Sequence, residues 1–218
     1  MITFQALGAT VAYDAIPALT NVSCVFDGSG IYVITGPTGA GKTTLLRMLY
    51  ADILPTSGDV LIDGFSTRTM RAKQIRVVRR GMGIVQQNAQ LIADRTAYDN
   101  VILPLAARGM SKVEANKRCL EVLADLNVSY IRHKLGSQLS GGERHLVALA
   151  RALVTRPSVI IADEPTGTLD PATTQMVASA LRAQAEAGNM VIVSTHSESL
   201  LAALPTANRV VVEDGTVA

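Results

Sequence analysis

Gly36, Pro37, Thr38, Gly39, Ala40, Gly41, Lys42, Thr43 and Thr44 form an unbroken run of small and flexible residues around a single cation. The apolar stretch Gly30–Thr35 before it reads as a short buried strand, and Lys42 to Tyr50 reads as a helix. A glycine-rich turn between strand and helix lets bare backbone N–H groups wrap phosphate oxygens, and the helix N-terminus adds the positive end of its dipole. Lys42 is expected to reach the β- and γ-phosphates of a nucleotide, with the Thr43 hydroxyl on Mg²⁺.

Further along, Asp163-Glu164 closes the apolar run Ser158–Ala162. Ligands of parallel sheets collect at the carboxyl ends of strands, so this acidic pair is expected beside the phosphate loop. Asp163 would hold Mg²⁺, and Glu164 would polarise the water that attacks the γ-phosphate. Leu139-Ser140-Gly141-Gly142-Glu143 is a second small-residue turn opening a helix, and so a second anion site. One nucleotide needs one cradle for its α- and β-phosphates, which makes the second most useful if it closes from a neighbouring subunit. His196 follows the strand Met190–Ser194, where it can reach the γ-phosphate. Gln87 follows the strand Met82–Val85 and is a candidate for Mg²⁺ or the attacking water, with Gln86 beside it. Tyr13 offers a ring for stacking on a base, one tyrosine among five.

The elements that must position these groups alternate. Strands are expected at Ile2–Leu7, Thr10–Tyr13, Val22–Phe26, Ile31–Thr35, Asp59–Ile62, Met82–Val85, Ser158–Ala162 and Met190–Ser194. Arg209–Glu213 and Thr216–Ala218 should close a hairpin across Asp214-Gly215. Helices are expected at Thr96–Arg108, Ser111–Leu126, Gly142–Thr155 and after Asp170-Pro171, an N-cap with proline at the first helical position. The second of these shows a capping box, Ser111 with Glu114, and an apolar stripe at Val113, Leu120, Leu123 and Leu126. Such alternation gives an α/β fold with a mainly parallel sheet covered on both faces and an antiparallel flank from the N-terminal strands.

The 218 residues suit one α/β domain, 1–218, with a helical subdomain at about 88–140. A net charge of +2 gives no reason to expect a nucleic-acid partner. Cys24 and Cys119 lie far apart without metal spacing. The first residues lack the layout of a signal peptide, and no apolar run approaches the roughly 18 residues of a bilayer span. The expected location is therefore cytoplasmic. Arg68, Arg71, Lys73, Arg76, Arg79 and Arg80 cluster in a stretch, Gly64 to Ala93, without an acidic residue. The run reads as a solvated helix face with Ile75 and Val78 inward, while anionic lipid head groups or an acidic partner would also suit it.

Taken in order, phosphate loop, Gln87, Leu139–Glu143, Asp163-Glu164 and His196 resemble the nucleotide-binding subunit of ATP-binding cassette (ABC) systems, across essentially the whole chain. The resemblance implies an ABC ATPase domain that binds ATP and Mg²⁺ and hydrolyses the ATP. It makes Tyr13 the adenine-stacking aromatic, Gln87 the sensor of Mg²⁺ and of a membrane partner, and Asp163 the metal-binding aspartate. It makes Glu164 the catalytic base and His196 the γ-phosphate switch, with Ser140, Gly141 and Gly142 donated across a head-to-tail ATP-sandwich homodimer. Gly167-Thr-Leu-Asp170 resembles the segment linking the two sites. Arg144-His145-Leu146 departs from the family, which has Gln and, two places on, Arg; the departure leaves the cradle intact and alters contacts of the helix surface.

Within the family, Asp94–Val101 followed by Ile102–Leu105 resembles the cell-division ATPases of the FtsE type, which implies an integral membrane partner of the FtsX type. Lipoprotein-release and macrolide-export ATPases share the pattern Pro165–Asp170 and are the alternative. The partner should dock in a groove formed by the loop after Gln87 and the next helix, through Leu91, Ile92, Ala93, Tyr98, Val101 and Leu105. The distance from Gln87 to Ser140 is too short for the coiled coil of chromosome and repair ATPases. Intact Glu164 and His196 speak against a module that only binds nucleotide.

Overall fold

Antiparallel pairing of β1 (Phe4–Tyr13) with β2 (Ile16–Phe26) starts the fold. The structure is a computed structural model that describes residues 2–14, 16–167 and 169–217. Phe4 and Ala6 point inward, and so do Ala9 and Val11. The alternation changes phase where the pairing register shifts between Ala6 and Ala9, with Gly8 at φ 56°. This irregularity lets one bent strand carry what the sequence presents as two pieces.

β3 (Gly30–Thr35) leads through the phosphate loop into α1 (Lys42–Leu49). β4 (Ser57–Ile62) and β5 (Phe65–Ser66) return to the antiparallel sheet, whose order is β2-β1-β4-β5. α2 (Ala72–Arg80) carries the basic run; none of its side chains is fully buried, and Ile75 and Val78 pack half-buried against the core, as expected. β6 (Met82–Val85) is followed by α3 (Ala97–Ala107) and α4 (Lys112–Asp125), then α5 (Gly141–Leu153) and β7 (Val159–Asp163). α6 (Pro171–Glu186), β8 (Met190–Ser194), α7 (Glu198–Ala203), β9 (Asn208–Glu213) and β10 (Thr216–Val217) complete the chain. Ala218, placed in the last strand by sequence, and Thr168, within the Gly167–Asp170 segment, lie outside the described residues.

The second sheet runs β10-β9-β3-β8-β7-β6, parallel except for β10. β8 is buried throughout, and its alternation divides the interior. Val191 and Val193 join the core under α3 to α6, whereas Met190 and Ile192 join the core under α1 and the antiparallel sheet. Both faces of the parallel sheet are therefore covered, which is what an all-apolar strand requires.

One expectation holds by half and another fails here. On α4 the buried residues are Ala115, Cys119, Val122 and Leu123, joined by Leu126 beyond its end, while Val113 is 80% exposed and Leu120 41%. The helix turns the small residues Ala115 and Cys119 toward α3, whose own side chains fill the space. On α5, Leu146 is buried with Val147, Leu149 and Ala150, so position 146 belongs to the core and not to a helix surface.

Candidate nucleotide site

The strand order sets which loops can meet. β3, β8, β7 and β6 are parallel neighbours, so the residues after Thr35, Ser194, Asp163 and Val85 emerge at one edge of the sheet. Thr38, Gly39, Gly41, Lys42, Thr43, Thr44, Gln87, Glu164 and His196 line a single pocket there, of about 280 Å³, together with Ala18.

The phosphate loop has little latitude. At Gly36, with φ 144°, a Cβ would lie 1.9 Å from the Val212 carbonyl oxygen. At Gly41, with φ 108°, it would lie 2.6 Å from the Ala18 carbonyl oxygen. Any side chain at either position would push the loop off the neighbouring strands. Lys42 is buried, and its Nζ donates to the Gly36 and Pro37 carbonyls at 2.9 Å each. The ammonium is thus held inside the loop that carries the free N–H groups, where a polyphosphate would meet it. Thr43 and Thr44 occupy the exposed first turn of α1, which has no acidic residue to repel an anion.

The two carboxylates at the end of β7 differ in their partners. Asp163 is buried and accepts a short hydrogen bond from the Ser194 hydroxyl on β8. Glu164 takes a left-handed backbone, φ 45°, with its N–H donating to the Ser194 carbonyl at 3.0 Å. That turn brings the Glu164 side chain to the sequence following β8. Its Oε2 accepts from the Thr195 hydroxyl at 3.2 Å and from the His196 N–H at 3.4 Å, and its Oε1 lies 2.6 Å from His196 Nδ1. Ser194 and Thr195, which fix both carboxylates, were not among the residues singled out from the sequence. Their signal is the parallel register that pairs Asp163 with Ser194.

Gln87 is exposed and lines the pocket; Gln86 is half-buried and outside the lining. Tyr13 ends β1, 44% exposed, outside the pocket lining. Ser140, Gly141 and Gly142 open α5, also outside it. Ser140 is the N-cap: its hydroxyl accepts from the Glu143 N–H at 3.3 Å, and its own N–H donates to Glu143 at 2.8 Å. That N–H, then Lys134, hold the Glu143 carboxyl below its ordinary pKa. His145, marked in the sequence only as part of the departure Arg144–Leu146, is a further link. Its Nδ1 is 2.9 Å from the Gly141 carbonyl and its Nε2 is 3.2 Å from the Gln87 carbonyl, joining α5 to the edge of the pocket.

Among the described residues no group of three or more His, Cys, Asp or Glu could cage a metal. The donors that line the pocket, Thr43, Gln87 and Glu164, fit instead an Mg²⁺ held jointly with phosphate oxygens, and Asp163 is buried next to Glu164 outside the lining.

Comparison with known proteins agrees with this geometry. The sequence profile of the family described as ABC transporter matches residues 19–167. The cell division ATP-binding protein FtsE of Bacillus subtilis is 36% identical over 206 residues, 94% of this chain and 89% of that protein. The methionine import ATP-binding protein MetN of Caulobacter vibrioides is 34% identical over 224 residues, all of this chain and 67% of that protein. Among solved structures, a dimeric post-hydrolysis state of the ATP-binding cassette MJ0796 bound to ADP and Pi superposes with a TM-score of 0.90 at 32% identity, covering 98% of this chain and 96% of that one. A strand–loop–helix phosphate cradle, a carboxylate pair at the same edge of the parallel sheet two strands away and similarity along nearly the whole length lead to one assignment: the chain belongs to the ABC transporter family and is an ATP-binding cassette ATPase.

Proposed function

We propose that this chain acts as a single domain, residues 1–218 with a helical subdomain at 88–140, which hydrolyses ATP as a head-to-tail homodimer on the cytoplasmic face of a membrane. The observation that carries the reading is a separation. Lys42, Thr43, Gln87, Glu164 and His196 share one pocket, while Ser140, Gly141 and Gly142, a second anion cradle, lie outside it at a helix N-terminus. Two copies arranged head to tail would let each cradle close on the other's nucleotide. The dimeric, ADP- and Pi-bound MJ0796 cassette supports a dimer.

Within the site Lys42 binds the β- and γ-phosphates, and the loop N–H groups orient them. Thr43, Gln87 and Asp163 would hold Mg²⁺, whose chemistry is to neutralise developing charge on the phosphates. Glu164 takes the proton of the attacking water, held for that task by Thr195 and His196. His196 contacts the γ-phosphate, and Tyr13 stacks on the adenine.

The role we favour is in cell division, with an integral membrane partner of the FtsX type. It is supported by the similarity to FtsE and by the resemblance of Asp94–Val101 to that group. A second reading, solute import, is favoured by the comparable identity to MetN. Purification from mild detergent, with the co-eluting membrane protein identified, separates these two and also the lipoprotein-release and macrolide-export alternatives.

Glu164→Gln tests the site. The variant should bind ATP, fail to hydrolyse it and accumulate as a dimer. If it stays monomeric by light scattering in saturating Mg-ATP, the two-cradle reading is wrong for the isolated subunit.

A further inference from the structure

The basic run takes no part in the nucleotide pocket. α2 places Lys73, Arg76, Val77 and Arg80 at i, i+3, i+4 and i+7, which is one face of a helix. All four are exposed, Val77 by 61%. Two cations of the run are occupied elsewhere. Arg79 pairs with Asp52 at 3.4 Å and lies over the Tyr50 ring, and Arg68 donates to the Gly58 carbonyl at 2.9 Å. Among the described residues no carboxylate pairs with Arg71, Lys73, Arg76 or Arg80. No acidic residue occurs from Gly64 to Ala93 to supply one locally.

Beside this face stands Phe65 of β5, 69% exposed. With Met70, Lys73, Val77 and Val78 it lines an open, largely apolar depression of about 350 Å³. A face kept only for solvation needs charges; it does not need a phenylalanine and a valine held out among them. Unpaired cations interleaved with exposed apolar side chains match a surface that is anionic and apolar within a few ångströms of depth, which is the interfacial layer of a bilayer. The placement agrees. Arg79 and Arg80 at the end of α2 share a cleft with Pro104, Ala107 and Arg108 of α3 and its C-cap, so the end of α2 faces the end of the helix that borders the membrane partner's expected groove.

We propose that the outer face of α2, with Phe65, contacts anionic lipid directly, Lys73, Arg76 and Arg80 on the head-group phosphates and Phe65 and Val77 at the acyl boundary. The proposal rests on the reading of this chain as a membrane-complex ATPase and gives the subunit a lipid contact of its own beside the one through its partner.

Sedimentation of the full chain, purified without any membrane partner, with lipid vesicles tests it. Recovery with mixed phosphatidylglycerol–phosphatidylcholine vesicles should exceed recovery with phosphatidylcholine alone by roughly tenfold at low salt and collapse at high salt. The pair Lys73→Glu and Arg76→Glu should abolish the difference. The pair Phe65→Ser and Val77→Ser, which leaves the charge unchanged, should weaken recovery severalfold. Equal recovery on both vesicle types, or no change in either double variant, overturns the proposal. Capture on polyglutamate without capture on vesicles overturns it in favour of an acidic protein segment. Phosphate release in solution is read in parallel: absent turnover by the parent chain overturns the hydrolytic reading and leaves the vesicle result standing.

Discussion

Glu164 Oε1 and His196 Nδ1 are 2.6 Å apart, so the side chain we propose takes a proton from water already touches a residue of the segment that follows the adjacent strand. Glu164 is only 6% exposed, while the His196 side chain is 60% exposed. The histidine therefore bridges a buried carboxylate and the open pocket. His196→Ala should leave nucleotide affinity nearly intact, because Lys42 and the loop N–H groups are untouched. Turnover should fall by up to about 10²–10⁴-fold, the usual worth of a positioned acid–base group, here Glu164 without the ring that holds it. Phosphate release together with fluorescent-nucleotide titration reads both quantities, and a variant with parental turnover would remove His196 from the machinery.

His145 spans from the Gly141 carbonyl to the Gln87 carbonyl. A neutral ring has one N–H and can donate to one of the two at a time, so its removal costs the structure a tether and not a nucleotide contact. His145→Ala should lower kcat with little change in KM, since neither of its bonds reaches the pocket's phosphate-binding groups. His145→Gln, whose amide keeps N–H donors, should recover most of the loss. A rise in KM with unchanged kcat would mean that the ring supports binding and not the placement of Gln87.

Leu146 stands where the family has arginine, and the structure buries it. Leu146→Ala should destabilise the fold by about 2–5 kcal/mol through lost packing. Leu146→Arg should do at least as much harm, because a buried guanidinium without a partner keeps its desolvation cost. Urea titration followed by circular dichroism measures both. If Leu146→Arg unfolds at the parental midpoint, the side chain escapes to solvent and the position is not a core position.

Asn100 is fully buried, and its side chain accepts from the Ile92 N–H at 2.7 Å and donates to the carbonyls of Ile92, Arg95 and Thr96. It fastens the loop that runs from Gln87 into α3. Asn100→Leu strands the Ile92 N–H, while the three carbonyls keep the N–H groups of Arg95, Gly136 and residue 100, and should cost about 1–3 kcal/mol. Hydrogen exchange should show the protection of residues 91–96 falling before that of the parallel sheet. Uniform loss across the chain would place Asn100 in the global core instead.

The phosphate loop, the carboxylate pair and the strand ends were legible in the sequence because each is local: a few adjacent residues whose backbone conformation demands glycine, or whose side chains end one strand. Ser194 and Thr195 were not, since their importance arises only from the register that sets β8 beside β7. Half of the α4 stripe, Leu123 and Leu126, is buried as expected; the other half was misplaced because Ala115 and Cys119 are too small to stand out from Val113 and Leu120 in the sequence, yet it is they that are buried. Asp94–Val101 carries a different lesson. Thr96 and Asp99 form a capping box, and Asn100 ties the loop, so this run has a structural task that any member of the family with the same loop could share. Its weight as a sign of cell division is reduced accordingly.

The groove for the membrane partner can now be drawn more narrowly. Val101 and Leu105 are fully buried and complete the core beneath α3, so they leave the set of docking residues. Leu91, Ile92, Ala93 and Tyr98 stay in that set, Ile92 at 40% exposure with its backbone held by Asn100, and Leu103 of α3, 47% exposed and not expected from the sequence, joins them. Neither Ile92 nor Leu103 lines the nucleotide pocket. Ile92→Glu with Leu103→Glu should therefore leave turnover in solution within about threefold of the parent, since exposed substitutions seldom shift free energies by more than ~0.5 kcal/mol. The same variant should no longer be recovered with membranes that contain its partner. Washing at high salt removes the lipid contact expected of α2 and leaves partner docking as what the assay reads. Undiminished recovery after that wash would place the partner on another face of the protein.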